Sequence, residues 1–249
     1  MKQMRRFREV SDFRLEATDG ELGAVEDLYV DDRSWKVRYL VVRTGGWLLG
    51  RQVLIAPLSV REVDDTAHAL RVNLTREQIE HSPSIDRAKP VSRAYEEAYY
   101  RHFGLPPYWD TIPGPWEPLT LNTGMVPPTV EQTASPYAPS HPYLRSATDM
   151  IGHDIRAEDG AIGHVEDLIV DDEDWVVRYI EVDTKNWLPG KKVLVQTSRI
   201  HHMSWPERSV ALTLKRQAIE SAPAYDPTRL ITPDYEVQLF KHYGQGMAA

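Results

Sequence analysis

The sequence predicts a mainly β protein with short helices, built as two tandem small antiparallel β-barrels that are each followed by a short helical tail. Three observations lead to this fold class: an internal repeat, many short apolar segments separated by polar turns, and a proline-rich stretch between the two halves. We expect the first repeat to occupy residues 1–104, the linker 105–145 and the second repeat 146–249.

The repeat is visible by direct comparison of the two halves. Residues 20–50 read GELGAVEDLYVDDRSWKVRYLVVRTGGWLLG, and residues 160–190 read GAIGHVEDLIVDDEDWVVRYIEVDTKNWLPG. About 18 of these 31 positions are identical at a constant offset of about 140, and the offset holds as far as Gly104 and Gly244. Upstream the copies diverge, and the first copy reads as shorter than the second. Shared composition does not produce such agreement, so the halves are copies of one module.

Each module begins with a predicted β-hairpin. In the first copy, segments 22–30 and 37–44 flank a polar turn, and Glu26 with Asp27 between inward-facing positions predicts a β-bulge. Shorter strands are expected at 52–56, 59–63 and 69–73. Thr75 with Gln78 is typical of a capping box that starts a short helix. Later helices capped by Ser92 and Thr232 carry apolar stripes that we expect to dock on the barrels.

The linker is defined by its prolines, ten of which lie between residues 105 and 145. Proline fixes φ and removes a backbone donor, so this stretch is predicted to be extended and semi-rigid. Its aromatic residues indicate that parts of it pack against the barrels: Tyr108, Trp109, Trp116, Tyr137 and Tyr143.

Composition excludes several classes of function. The chain has no cysteine, which rules out disulfides, thiol nucleophiles and cysteine-bound metals and fits a cytoplasmic location. No apolar run reaches the roughly 20 residues of a membrane helix. The net charge of −8 argues against general nucleic-acid binding. The basic start, with Arg5, Arg6 and Arg8, is expected to be solvated, with contact to an anionic membrane surface as the alternative.

Several repeated polar and aromatic residues are candidate site residues. Asp27 with Arg38, and likewise Asp167 with Arg178, are predicted to form hydrogen-bonded pairs that pin each hairpin. Four tryptophans recur next to turns, where each either anchors a binding partner or covers a barrel end: Trp35, Trp175, Trp47 and Trp187.

No catalytic motif is recognised. Segments 45–51 and 185–191 half-resemble a phosphate-binding loop but lack the final Ser or Thr and a following helix. The histidines give no metal signature, although the acidic turns leave a weak calcium site as an alternative. We therefore expect no enzymatic activity, no cofactor and no bound metal.

The run G-x-x-G-x-V-E-D-L-x-V-D-D, followed by V-R-Y-[LI]-x-V, is similar to the PRC-barrel family. This family includes the cytoplasmic domain of the photosynthetic reaction centre H subunit and the C-terminal domain of a ribosome-maturation factor. The resemblance covers both repeats and implies compact, mainly antiparallel β-barrels with short helical additions. Fold alone does not carry either function across.

Glu181 marks a difference between the copies, because it replaces Val41. In H-subunit domains a carboxylate on this strand is associated with proton entry. Without an anchoring helix in this chain, we expect Glu181 to be a polar position on a water-facing strand, with a binding role as the alternative.

The function expected from these observations is that of a non-enzymatic binding or scaffold protein made of two fused modules. Its protein partner is unknown and self-association is open. One alternative is a soluble peripheral accessory of a membrane electron-transport or photosynthetic complex, like the H subunit. Another is a binding module linked to ribosome or RNA maturation.

Overall fold

The computed structural model describes residues 3–85, 90–109, 144–184 and 191–244. It divides into two compact units, which do not follow the boundaries of the repeat. The first unit combines Met1–Glu80 with Tyr143–Ala249, and the second is His81–Pro142. Both barrels therefore belong to one compact unit.

The elements of the first half follow one another in the order expected for the module. They are β1 (Met4–Arg6), α1 (Phe7–Ser11), β2 (Arg14–Ala17), β3 (Gly20–Asp31), β4 (Val37–Thr44), β5 (Gln52–Ile55), β6 (Val60–Asp64), β7 (Ala69–Val72), α2 (Arg76–Glu80) and α3 (Arg93–Phe103). The predicted hairpin, the three shorter strands and the two helices are all present.

The second half repeats this order at the same offset. Its elements are β8 (Leu144–Ser146), α4 (Ala147–Met150), β9 (Asp154–Ala157), β10 (Gly160–Asp171), β11 (Val176–Asp183), β12 (Lys192–Gln196), β13 (Ile200–Ser204), β14 (Ser209–Leu212), α5 (Arg216–Glu220) and α6 (Pro233–Gly244). Because β8 and α4 match β1 and α1, the offset of 140 also holds upstream, and the predicted difference in length there was wrong.

Two seven-stranded sheets confirm the mainly β fold class. One runs β5-β4-β3-β2-β7-β6 and the other β12-β11-β10-β9-β14-β13. Pairing is antiparallel except between β2 and β7 and between β9 and β14. The register between β3 and β4 shifts between Val25 and Asp27, which confirms the predicted bulge, and the second copy shifts at Val165 and Asp167.

The seventh strand of each sheet comes from the other half of the chain. Strand β1 pairs with β10 of the second barrel, with Arg6 opposite Ile169. Strand β8 pairs in the same way with β3 of the first barrel, with Ser146 opposite Tyr29. The two barrels therefore exchange strands reciprocally, as two subunits of a swapped dimer would.

Glycines of the G-x-x-G motif are required by the close approach of two strands. A Cβ atom on Gly23 would lie 1.9 Å from the carbonyl oxygen of Arg43, and one on Gly163 would lie 1.9 Å from that of Asp183. Such contacts are impossible without moving backbone, so this position of both copies admits no side chain.

The predicted helix caps are confirmed. Thr75 and Gln78 exchange hydrogen bonds in both directions, at 2.9 and 3.2 Å. The Ser92 hydroxyl caps α3, and the Thr232 hydroxyl accepts a bond from the Tyr235 N–H at 3.3 Å.

The C-terminal helix α6 docks on the second barrel, as its apolar stripe predicted. The Tyr243 hydroxyl, which is buried, donates to the Leu194 carbonyl at 2.9 Å, and the Tyr179 hydroxyl of the barrel donates to Glu236 at 3.1 Å. Leu239, between these contacts on the inner face, is fully buried.

The second compact unit contains α3 and the start of the linker. The Tyr108 hydroxyl donates to Glu96 at 2.7 Å, and the Arg93 guanidinium lies 4.0 Å from the centre of a Trp109 ring. The predicted packing of Trp116, Tyr137 and Tyr143 lies outside the described residues. Across the described ranges, no helix is both long enough and apolar enough to cross a bilayer.

Candidate functional site at the junction of the barrels

The turns of the two hairpins meet at the junction between the barrels. Trp35 and Trp175 both adopt left-handed backbone conformations, with φ of 58° and 56°, which are uncommon for a bulky residue. This geometry turns each carbonyl outward: Trp35 accepts from the Val177 N–H and Trp175 from the Val37 N–H, both at 2.8 Å. The two tryptophan side chains are buried, so both residues fasten one barrel to the other.

A reciprocal pair of arginines reinforces the same junction. Arg5, on β1, donates to Asp172 of the second barrel at 2.7 Å. Its counterpart Arg145, on β8, donates to Asp32 of the first barrel at 3.0 Å. Each exchanged strand thus carries an ion pair to the barrel that receives it.

Asp27 lies at the bulge of β3 and is fully buried. Its Oδ1 accepts from the N–H groups of Leu28 and Thr148 and from the Thr148 hydroxyl, at 2.8, 3.1 and 3.1 Å, and its Oδ2 accepts from the Ser146 hydroxyl at 2.6 Å. The carboxylate therefore holds the start of α4, which belongs to the other half of the chain. These four hydrogen bonds to the buried carboxyl group all come from uncharged donors.

The predicted Asp27–Arg38 pair was wrong. Arg38 instead donates to Asp31 at 3.0 Å. Burial alone would raise the pKa of Asp31, but the Arg38 guanidinium and two backbone N–H groups outweigh it and hold that pKa below its usual range. The reason lies in the register: the bulge sets Asp27 opposite Val41, three residues beyond Arg38.

The second copy departs from its prediction in the same way. Arg178 pairs with Asp171 at 3.3 Å and also with Asp174, rather than with Asp167. Asp167 instead lies 3.2 Å from the guanidinium of Arg6, on the exchanged strand. The site that Ser146 occupies in the first barrel is thus taken by an arginine in the second.

Glu181 is fully buried, so its placement on a water-facing strand was wrong. One of its oxygens accepts from Arg6 at 3.0 Å and the other from Lys192 at 2.7 Å. We call Arg6, Asp167, Glu181 and Lys192 the buried charge cluster. The first barrel has serine, aspartate, valine and glutamine at the matching positions, so the cluster is specific to the second copy.

The cluster can bind a proton near neutral pH. Burial raises the pKa of Asp167 to about 6, and the nearby charge of Glu181 adds to the rise, although Arg6 and the Leu168 N–H oppose it. Burial would lower the pKa of Lys192, but Glu181 outweighs burial and raises it, so this ammonium stays charged. The arrangement joins two fully buried carboxylates to two partly exposed cations, Arg6 and Lys192.

Three residues at the rim of the cluster have the spacing of metal ligands. Ligand atoms of His164, Glu166 and Asp183 all lie within 4.8 Å of one another. Glu166, however, accepts from Arg8 at 2.8 Å and from Lys192 at 3.4 Å, and these cations outweigh burial and lower its pKa. A divalent ion would have to compete with both of them.

Of the two loop tryptophans, Trp47 is half-buried and covers the end of the first barrel. Its indole N–H donates to the Leu22 carbonyl at 2.8 Å, and the Arg76 guanidinium lies 5.2 Å from its ring centre. The matching Trp187 lies outside the described residues.

The exchanged strands are the feature that sequence reasoning missed. Arg6 and Arg8 were expected to be solvated, yet each bonds to a carboxylate of the second barrel. A signal was present: Arg5 and Arg145 align at the offset of 140, which extends the repeat to the exchanged strands.

Comparison with known proteins agrees with this architecture. The family model for the PRC-barrel domain matches residues 6–79 and 144–204, which together make up more than half of the chain. No curated protein shows significant similarity to it.

Proposed function

Since the chain belongs to the PRC-barrel family, with two copies of the domain in tandem, we propose that it is a non-enzymatic binding or scaffold protein. The observation that carries this proposal is the reciprocal exchange of β1 and β8, which joins both barrels into one compact unit. Two like surfaces fixed to each other suit a symmetric or repeated partner. The absence of cysteine fits a cytoplasmic setting.

The repeated polar and aromatic residues make structural contacts, so we assign no catalytic role to them. Asp27 holds the start of α4, Asp31 pairs with Arg38, and Trp35 with Trp175 fastens the junction. Each of these groups is engaged in maintaining the fold. A catalytic residue would instead need to face a space that a substrate can enter.

The test is the stoichiometry and barrel dependence of a captured partner. The full chain is cross-linked in lysate of its source cell, captured proteins are identified by mass spectrometry, and the complex is remade from purified components. Arg61→Glu on β6 and His201→Glu on β13 are matched variants, because they change equivalent exposed positions on the two outer strands. Their thermal unfolding is compared with that of the wild type.

A paired platform predicts that the partner contacts both barrels, so that changes on either one weaken it. A partner that binds with full affinity through one barrel alone, and ignores every change on the other, contradicts the paired platform.

The second candidate is a soluble peripheral accessory of a membrane electron-transport complex, resembling the reaction-centre H subunit. The observation that favours it is the buried Asp167–Glu181 pair, in which Asp167 has a pKa of about 6. Gentle lysis followed by fractionation tests it. Co-sedimentation with membranes that is lost in Glu181→Val, the residue of the first copy, supports this role. Recovery in the supernatant alone contradicts it.

A further inference from the structure

The outer face of α6 carries exposed apolar side chains. Phe240 is 69% exposed and Val237 is 49% exposed, whereas Leu239 on the inner face is fully buried. Pro233, Val237 and Phe240 follow one another at helical spacing on this outer face, and Glu236, which also bonds to Tyr179 of the barrel, lies at its edge. Helix α6 thus docks on its barrel with one face and presents a second face to solvent.

The matching face of α3 is covered by the chain itself. Tyr100, which aligns with Phe240, is 6% exposed. The rings of Tyr108 and Trp109 lie edge-on to it, with centres 5.9 and 5.1 Å away. Gly104, with φ of 64°, allows the chain to turn directly after the helix and bring residues 105–109, which read LPPYW, back onto this face.

We propose that the outer face of α6 is a docking site for an extended proline- and aromatic-containing segment of a partner protein, of the Pro-Pro-Tyr-Trp type that covers α3. This rests on the proposed function of the chain as a binding protein and identifies the chemistry of one partner. The duplication provides the template, because the same helix position that is exposed on α6 is occupied on α3.

Both recognition features of α3 are kept on α6. Phe240 retains an aromatic ring at the position of Tyr100, which offers the edge-to-face packing that Tyr108 and Trp109 use. Glu236 retains the carboxylate of Glu96, which accepts the Tyr108 hydroxyl at 2.7 Å. One oxygen of Glu236 already accepts from the Tyr179 hydroxyl, and a carboxylate has capacity for further donors.

Two differences define the preferred guest. Val237 replaces Glu97, which makes the face more apolar and favours the rings of proline. Pro233 replaces Arg93, whose guanidinium lies over Trp109, so the final tryptophan contributes less on α6 than on α3. Extended proline-rich segments are favoured for such a face because little conformational entropy is lost when they bind.

We take a segment of a separate protein as the occupant, rather than residues 105–109 of a second copy of this chain. Within the described residues, the segment of this type is 105–109, and it is engaged on the α3 of its own chain. A second copy would have to release that contact before it could reach α6.

The experiment is a titration of the ¹⁵N-labelled full chain with the blocked peptide Leu-Pro-Pro-Tyr-Trp, to about 5 mM because so short a ligand binds weakly. We expect saturable shifts of backbone amide signals on the outer face of α6. Phe240→Ala is expected to weaken the peptide about ten-fold or more, as truncation of an aromatic anchor does. Leu58→Ala, at another exposed apolar residue on the first barrel, should leave the affinity unchanged.

Since Phe240 is exposed, its truncation leaves the fold intact, which the spectrum of the variant verifies directly. The absence of α6 shifts at the highest peptide concentration overturns the proposal, as do shifts that persist unweakened in Phe240→Ala. Binding of Leu-Pro-Pro-Ala-Ala as tightly as the parent peptide also overturns it. If a partner binds through both barrels but the peptide titration fails, the scaffold function is retained. Only the proposed docking site on α6 is then rejected.

Discussion

Replacing Arg6 with serine tests whether the exchanged strand β1 neutralises the buried charge of the second barrel. Serine is the residue at the matching position of the second half, Ser146. In the first barrel the Ser146 hydroxyl donates to Asp27, and Val41 stands at the position of Glu181. In the second barrel Arg6 pairs with both Asp167 and Glu181. The substitution therefore leaves two fully buried carboxylates with one fewer cation.

The expected loss in the free energy of unfolding is about 3 kcal/mol at pH 8. Removing one partner of a buried ion pair costs about 3–5 kcal/mol. The lower end applies because Lys192 remains 2.7 Å from Glu181. The loss should be smaller at pH 5, where Asp167, with its pKa of about 6, is protonated in the folded protein and needs no counter-charge.

Urea unfolding at pH 8 and pH 5 measures both values, with Arg61→Ser as a control at an exposed arginine. The double variant Arg6→Ser, Glu181→Val copies the first barrel at both positions. It should recover most of the lost stability, because the buried Glu181 carboxylate is removed together with the Arg6 guanidinium that neutralises it. A single variant within 0.5 kcal/mol of wild type at pH 8, or a double variant without recovery, would refute the reasoning.

Three further substitutions probe the same region. Asp167→Asn should change the pH dependence of stability. The folded pKa of Asp167, about 6, lies above the unfolded value, so the contribution of Asp167 to the unfolding free energy falls by about 2 kcal/mol as pH rises from 4 to 7. The variant should lack this fall, which urea unfolding at several pH values measures. His153 is buried, and neither of its ring nitrogens makes a hydrogen bond of good geometry within the described residues. His153→Phe introduces the residue that the first copy has at this position, Phe13, and should raise the unfolding free energy by about 1–3 kcal/mol. The gain should be larger at pH 5 than at pH 8, because burial lowers the pKa of His153. Gly163→Ala should cost about 3 kcal/mol or more in thermal unfolding, since its Cβ would meet the Asp183 carbonyl oxygen.

Much of each module was predictable because its signals are local. The alternating segments of β3 and β4 gave the hairpin, and two polar residues at Glu26 and Asp27 gave the bulge. Side-chain caps such as Ser92 are encoded within a few residues of the helix they start.

The sequence predictions that were wrong concern interactions that depend on strand register or on residues far away in the chain. Asp27 was paired with Arg38 because both lie on adjacent strands, but the bulge moves the carboxylate toward α4 and leaves Arg38 to Asp31. Arg6 lies in a run of basic residues, which favoured a solvated start, although Met4, Phe7 and Val10 recur around it at a spacing of three and are all buried. The buried charge cluster is visible in sequence as a joint difference between copies, in which Glu181 and Lys192 replace Val41 and Gln52.

Strand exchange within one chain is tested most directly by disulfide trapping, since the protein has no cysteine of its own. Tyr29 lies opposite Ser146 on β8, and in unexchanged barrels it would lie opposite Arg6 on β1. Facing residues on antiparallel strands are close enough for a disulfide. Exchange predicts an intrachain bond in Tyr29→Cys, Ser146→Cys and none in Tyr29→Cys, Arg6→Cys, as read by peptide mass mapping. The opposite pattern would contradict the fused, strand-exchanged pair.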